Sequence, residues 1–374
     1  MKIGQLACFV GVLGISGCSG KVDIGVSVDG GSGGMPSAGM SSGAGLPGVG
    51  GAPASGGMSS AGGGEADGGG GAPVGPFYCG NQVVMDGDIP FASPAVVAAR
   101  IEKFLFVQKT MPGLRDGIPT VTTREWAGDY AISLLTNDAS APLATAGMVA
   151  FIDNWWPGVS DKLTWANYFT LTPGKLSDLF TSPGTAPNGA GLLTDGSIYT
   201  DDDISLRGVA LRTRLYCTQV PPPPPNMSHL PEPAPGVSHR EQLEQSTNAA
   251  ACRACHSLFD GLGFSVQNFA NDGSFRTTDN GAPIDTSGQF IAPPGSPLVF
   301  ADLHDLAAQL GQDCSVATCV TQKMQETAIV NASLPPDRFS PDVLNSVAYQ
   351  FALSGYDLRT LVRALVQSNA FLKP

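Results

Sequence analysis

Residues 250–276 read AACRACHSLFDGLGFSVQNFANDGSFR, and Cys252-Arg253-Ala254-Cys255-His256 at their head decides how the rest is read. Two residues between the thiols span two neighbouring attachment points on one helical turn, and the following imidazole then lies against whatever the sulfurs hold. That arrangement is the attachment pattern of haem c: two thioether bonds from the cysteines, and the next histidine as proximal iron ligand. The expectation is therefore one covalent haem c, with Cys252, Cys255 and His256 as its binding residues. Three other readings compete. A redox-active Cys-x-x-Cys needs a βαβ context, half of a zinc site needs two further ligands, and a plain structural staple needs nothing more. The sixth iron ligand is open. Met324 is the first choice, His304 the second, and Met227, His229 and His239 are weaker; a five-coordinate iron is the remaining option. Leu262, Phe264, Phe269 and Phe275 are candidates to wall a porphyrin, and Arg276 to meet a propionate.

Outward from the motif the chain reads as mainly α. Ser238 and Glu241 form a capping box ahead of a helix that leads into the motif. Residues 259–298 are rich in Gly, Asp and Thr and read as loop with a short hairpin. Helices follow near 302–310, 315–330, 341–354 and 358–369, with Ser340-Pro341 starting the third and Gly355 stopping it. On the other side, Leu206 to Tyr216 is helical and runs into Pro221–Pro225, a natural boundary. Earlier still, Ser93-Pro94 opens AVVAARIEKFLFV, Thr122 with Glu125 caps WAGDYAISLL, and Pro142 opens LATAGMVAFIDNWW, which ends at Pro157. The expected fold is a helical domain over 77–190, a cytochrome c-like segment with the Cys-x-x-Cys-His motif over 191–298, and a C-terminal helical bundle over 299–374.

Before these lie two segments of another kind. Residues 1–17 carry Lys2 and an apolar run of signal-peptide length, ending in Ile15-Ser16-Gly17-Cys18. That ending resembles the bacterial lipobox, which implies that Cys18 is acylated and anchors the mature chain; Ser19 after it favours the outer membrane of the cell envelope. Residues 18–76 continue as a Gly/Ser/Ala linker too poor in apolar surface to fold, with a coil reach of about 40 Å. It absorbs most of the 48 glycines. Net charge is −12 with no basic cluster, which argues against nucleic acid and leaves a membrane, through the lipid, and an unidentified redox protein as partners. Of eight cysteines, Cys8 falls in the signal and Cys18 takes the lipid. Cys314 and Cys319 are close enough in sequence to bridge, which leaves Cys79 with Cys217.

Three stretches together resemble the planctomycete-type cytochrome c domain family. They are GLLTDGSIYT with RGVALRTRLYCTQVPPPPP, then ACRACHSLFDGLGFSVQNFANDGSFRTTDNGAPIDTSGQF, then CVTQKMQETAIV with LRTLVRALVQSNAF. The middle one carries the specific elements Leu-Gly-Phe, Asn-Phe, Gly-x-x-Arg and Pro-Ile-Asp-x-Ser-Gly. RIEKFLFVQKTMPGL and MVAFIDNWW are more faintly similar, so that the likeness covers about residues 94–374. It implies haem c and a helical fold and supplies no substrate. The chain departs from the family in lacking its further N-terminal domains, in placing Ser246 where relatives carry a histidine, and in having Asn331-Ala332 in place of a Tyr-Ala-x-Gly-Arg turn. Two functions follow as expectations: an envelope-anchored mono-haem electron carrier, or a non-catalytic envelope module, one version of which contacts polysaccharide through Trp155-Trp156. No hydrolase, metalloprotease or phosphate-loop motif is present in the sequence.

Overall fold

The computed structural model describes residues 89–374 except 116, 184–187, 199–202 and 224–229. The signal, the lipidated Cys18, the linker, Cys79, Met227 and His229 lie outside the described residues.

The fold is mainly helical. The N-terminal helices are α1 (Pro94–Leu105), α2 (Arg124–Thr136), α3 (Ala141–Trp155), α4 (Lys162–Thr170) and the single turn α5 (Asp178–Thr181). The middle holds α6 (Ile204–Tyr216), α7 (His239–Ser246), α8 (Ala250–His256) and α9 (Asp260–Ser265). Two antiparallel hairpins follow, β1 (Thr278–Asp279) with β2 (Ala282–Pro283), and β3 (Gly288–Ala292) with β4 (Ser296–Phe300). The chain closes with α10 (Leu303–Leu310), α11 (Cys314–Ala332), α12 (Pro341–Leu353), α13 (Leu358–Val366) and α14 (Asn369–Leu372). None of the helices among the described residues is long and apolar enough to cross a membrane.

The longest helix, α11, organises the packing. Val316, Val320, Met324, Ala328 and Ala332 recur every fourth residue and are all buried, so one stripe faces α1, α3, α6 and α12. Asp313 caps this helix by accepting from Ser315 and Val316 N–H groups. Residues from all three expected segments share one apolar core, from Ala92 to Leu372. The two ends of the described chain meet there: Ala92 N–H donates to the Leu372 carbonyl at 2.7 Å, and the Arg100 guanidinium to that of Phe371 at 2.7 Å.

Several local expectations shift. The cap of α2 is Thr123, whose hydroxyl accepts from Trp126 N–H, because Thr122 is drawn inward to donate to the Ala92 carbonyl at 2.6 Å. Helix α1 stops at Leu105 instead of running on, since Val107 and Gln108 take left-handed backbone conformations. Helices α4 and α9 are additions to the sequence reading. The expected disulfides Cys314–Cys319 and Cys79–Cys217 are overturned: Cys217 bonds Cys319, with Cα atoms 5.3 Å apart. Cys217, at the end of α6, has the left-handed conformation that turns its side chain toward α11, a proximity that no sequence spacing reveals. Cys314 is disulfide-bonded as well. Trp155 and Trp156 are 1% and 0% exposed, packed at 5.8 Å edge to face, so they offer no polysaccharide surface. In the place of the family's turn, Asn331 is buried and donates to the Phe104 carbonyl at 3.1 Å.

Candidate functional site

The motif occupies α8, seven residues long, none of them buried. Its partly covered side is made by Cys252 and His256, one turn apart, and the rest of the helix is exposed. Its predecessor α7 starts where the capping box placed it, with the Ser238 hydroxyl accepting from Glu241 N–H at 3.1 Å. It ends at Ser246, whose hydroxyl donates to the Gln242 carbonyl at 2.8 Å, and α8 begins as a separate helix at Ala250. Cys252 is half-buried and Cys255 exposed, and both are free thiols. Every other described cysteine is disulfide-bonded. The pair is therefore not a closed staple, and among the described residues no group of three His, Cys, Asp or Glu side chains gathers as a metal cluster.

Beneath α8 lies a cleft of about 640 Å³, within the roughly 300–1,000 Å³ usual for small-molecule and cofactor sites. Arg253 and His256 of α8 contribute to its wall; the two cysteines do not, though they share that helix. Phe264 of α9 and Phe290, Ile291, Pro297, Val299 and Phe300 of the β3–β4 hairpin make the apolar wall. Val299 remains 62% exposed. Phe264 belongs to a small apolar cluster with Ile204 and Leu243, whereas Phe290 and Phe300 belong to the main core, so members of both clusters border the cleft. Arg240 at the start of α7 is held over the Phe264 ring at 4.3 Å. It donates to Glu244 at 2.9 Å and to the Asp285 and Ser287 carbonyls at 2.7 Å each.

His256 is fixed from behind. Its Nδ1 lies 2.9 Å from Asp260 Oδ2, and the Ser205 hydroxyl of α6 donates to Asp260 Oδ1 at 2.8 Å. Burial raises the Asp260 carboxyl above its ordinary range, and hydrogen bonds from Ser205 and His256 offset this only in part. An Nδ1–H donated to that carboxylate would leave the Nε2 lone pair free, the arrangement of metal-ligating histidines.

Close backbone contact holds this set together. A Cβ on Gly263 would meet the Ile204 carbonyl oxygen at 2.0 Å, and one on Gly208 the Phe259 carbonyl oxygen at 2.1 Å, so α6 and α9 touch backbone to backbone. The buried Arg212 of α6 then donates to the Leu258 carbonyl at 2.6 Å and the Ile291 carbonyl at 2.7 Å. One guanidinium thus ties the turn after His256 to the hairpin wall.

The other sequence candidates fall elsewhere. Met324 sits in the buried stripe of α11, in the main core and away from the cleft wall. His304 is exposed in the first turn of α10. His239 turns Nδ1 to the buried Asp279 at 2.8 Å and Nε2 toward Glu232 at 3.5 Å. Of the four expected wall residues only Phe264 lines the cleft; Leu262 and Phe269 belong to the main core, and Phe275 is 41% exposed against Phe269. Arg276 donates to the Gln267 carbonyl, and the cleft's arginines are Arg240 and Arg253 instead. Asp260, Ser205, Arg240 and the hairpin wall escaped the sequence reading. The His-x-x-x-Asp spacing was a usable signal for Asp260; nothing local points to Ser205.

Residues 188–279, about a quarter of the chain, match the family model PSCyt3, a protein of unknown function (DUF1588) and a planctomycete cytochrome-like domain family. The match takes in α6 to β1, and with them Ser205, the Cys-x-x-Cys-His motif and Asp260. No curated protein and no solved structure matches the chain.

Proposed function

We propose that this chain is an envelope-anchored, mono-haem c-type protein that transfers electrons, attached to the membrane through lipid on Cys18. The observation that carries the reading is α8: two free thiols and an imidazole with one ring nitrogen already occupied, on a helix with no fully buried residue beside an apolar cleft. The residues fit the group. Cys252 and Cys255 would hold a porphyrin through two thioethers, and His256 Nε2 would ligate its iron. When bound, haem c supplies a one-electron couple whose potential depends on ligands, hydrogen bonds and solvent access.

The chain's own part is positioning and environment. Asp260 holds the imidazole, and Phe264, Phe290, Ile291 and Phe300 line the cleft with apolar surface. Arg253 lines the same cleft beside Arg240, whose charge is paired with Glu244 and Asp285. The family match to a cytochrome-like domain supports the same reading. No second side chain is assigned to the iron.

The test is to produce the full chain in a periplasm equipped for haem c attachment. A denaturing gel stained for haem and a visible spectrum should both be positive, and a Cys252→Ala/Cys255→Ala double variant should lose both. Wild-type protein that is folded yet colourless, with no mass gain from a tetrapyrrole, overturns the proposal.

A further inference from the structure

The Ser205–Asp260–His256 chain crosses three elements: α8 and α9 are consecutive, and α6 joins them only in the folded molecule. Ser205 is at the start of α6, Asp260 opens α9, and His256 ends α8. The links are 2.8 Å and 2.9 Å, ordinary charge-assisted hydrogen-bond lengths. Asp260 is 7% exposed, so its charge acts across little water. Had Asp260 served only as an acidic residue in the first turn of its helix, it would have faced solvent. Instead it looks back one turn along the chain at the imidazole and is pinned on its other oxygen.

We infer that Asp260, braced by Ser205, is a positioning residue that sets the His256 tautomer and the electron-donating strength of its Nε2. A carboxylate accepting from Nδ1–H keeps the proton on that nitrogen and leaves the lone pair on Nε2. It also gives the ring partial imidazolate character, which strengthens donation to the oxidised metal and lowers the midpoint potential. The tautomer half stands on the protein alone; the potential half rests on the haem reading proposed above.

Two measurements on the full chain separate these halves. In protein produced without haem, nitrogen NMR at alkaline pH should place the His256 proton on Nδ1 in the wild type. Asp260→Ala should move most of it to Nε2, while His239, beside its own aspartate, stays unchanged and reports that the fold is intact. In haem-loaded protein, Asp260→Asn keeps the shape and loses the charge. It should raise the midpoint potential, Ser205→Ala should raise it less, and haem staining should stay at the wild-type level in both. A His256 proton that remains on Nδ1 in Asp260→Ala, or a potential unmoved in Asp260→Asn, overturns the inference. Wild-type protein that takes up no haem overturns the proposed function and the potential half with it, and the tautomer result then decides the positioning role by itself.

Discussion

Glu102 shows how strongly single residues are held in this molecule. Its side chain is 0% exposed, yet it lies 2.7 Å from Arg115 and accepts from Tyr130 at 2.6 Å and from Met111 N–H at 2.9 Å. Burial pushes its carboxyl up, but hydrogen bonds from Arg115, Tyr130 and Met111, with the Arg115 charge, outweigh burial and hold it below the usual range. A carboxyl lowered by folding contributes stability that is complete above its unfolded pKa, about 4.3, and is lost as pH falls through the lower folded value. Urea midpoints measured from about pH 6 down to about pH 2.5 should therefore drop on the acid side. Glu102→Gln should be less stable at neutral pH and should flatten that drop; an acid limb unchanged in this variant removes Glu102 from the account. At this scale the motif was legible because covalent chemistry sits in contiguous residues: Cys252, Cys255 and His256 need no partner from afar. Glu102 and Ser205 were not, because their roles are set by what folding places around them, and Asp260 offered only its spacing from His256.

Among the elements, the crossing of α6 on α9 positions the site. Gly208 faces the Phe259 backbone and Gly263 the Ile204 backbone at distances that admit no side chain. Gly263→Ala should destabilise by about 1–3 kcal/mol through overpacking, seen as a lower denaturant midpoint with unchanged slope. It should also loosen the Ser205–Asp260 link, since those residues flank the contact. A midpoint equal to that of wild type would mean that the helices separate at no cost. Sequence caps were good guides where one side chain had one use, as at Ser238 and Ser340, whose hydroxyls accept from Glu241 and Val343. They misled at Thr122, where a tertiary acceptor took the hydroxyl and Thr123 became the cap. Helix α9 was read as loop because glycines at two of its six positions argue against helix. Packing overrides that preference, since those glycines let the helix approach its neighbours.

At the scale of the whole molecule, Cys217–Cys319 links α6, which braces the site, to α11, the helix at the centre of the core. Its 102-residue separation encloses the motif, the hairpins and α10. Replacing both cysteines by alanine should lower stability by about 2–5 kcal/mol, read as a reduced melting temperature. Covalent haem should be retained, because the motif cysteines take no part in the bridge. Equal melting temperatures would show that the α6–α11 packing suffices without it. The expected pairing failed for a plain reason: with an even number of cysteines, sequence distance ranks the options, whereas chain topology selects among them. Read alone, the 374 residues determined the helical class, most helix starts and the position of the Cys-x-x-Cys-His motif, since these depend on periodicity, caps and contiguous chemistry. Only the tertiary structure decided that Met324 serves the core, that Cys217 finds Cys319 and that Ser205 stands behind Asp260. Each of these depends on which surfaces meet when apolar stripes are buried together, and residues far apart along the chain become neighbours only through that burial.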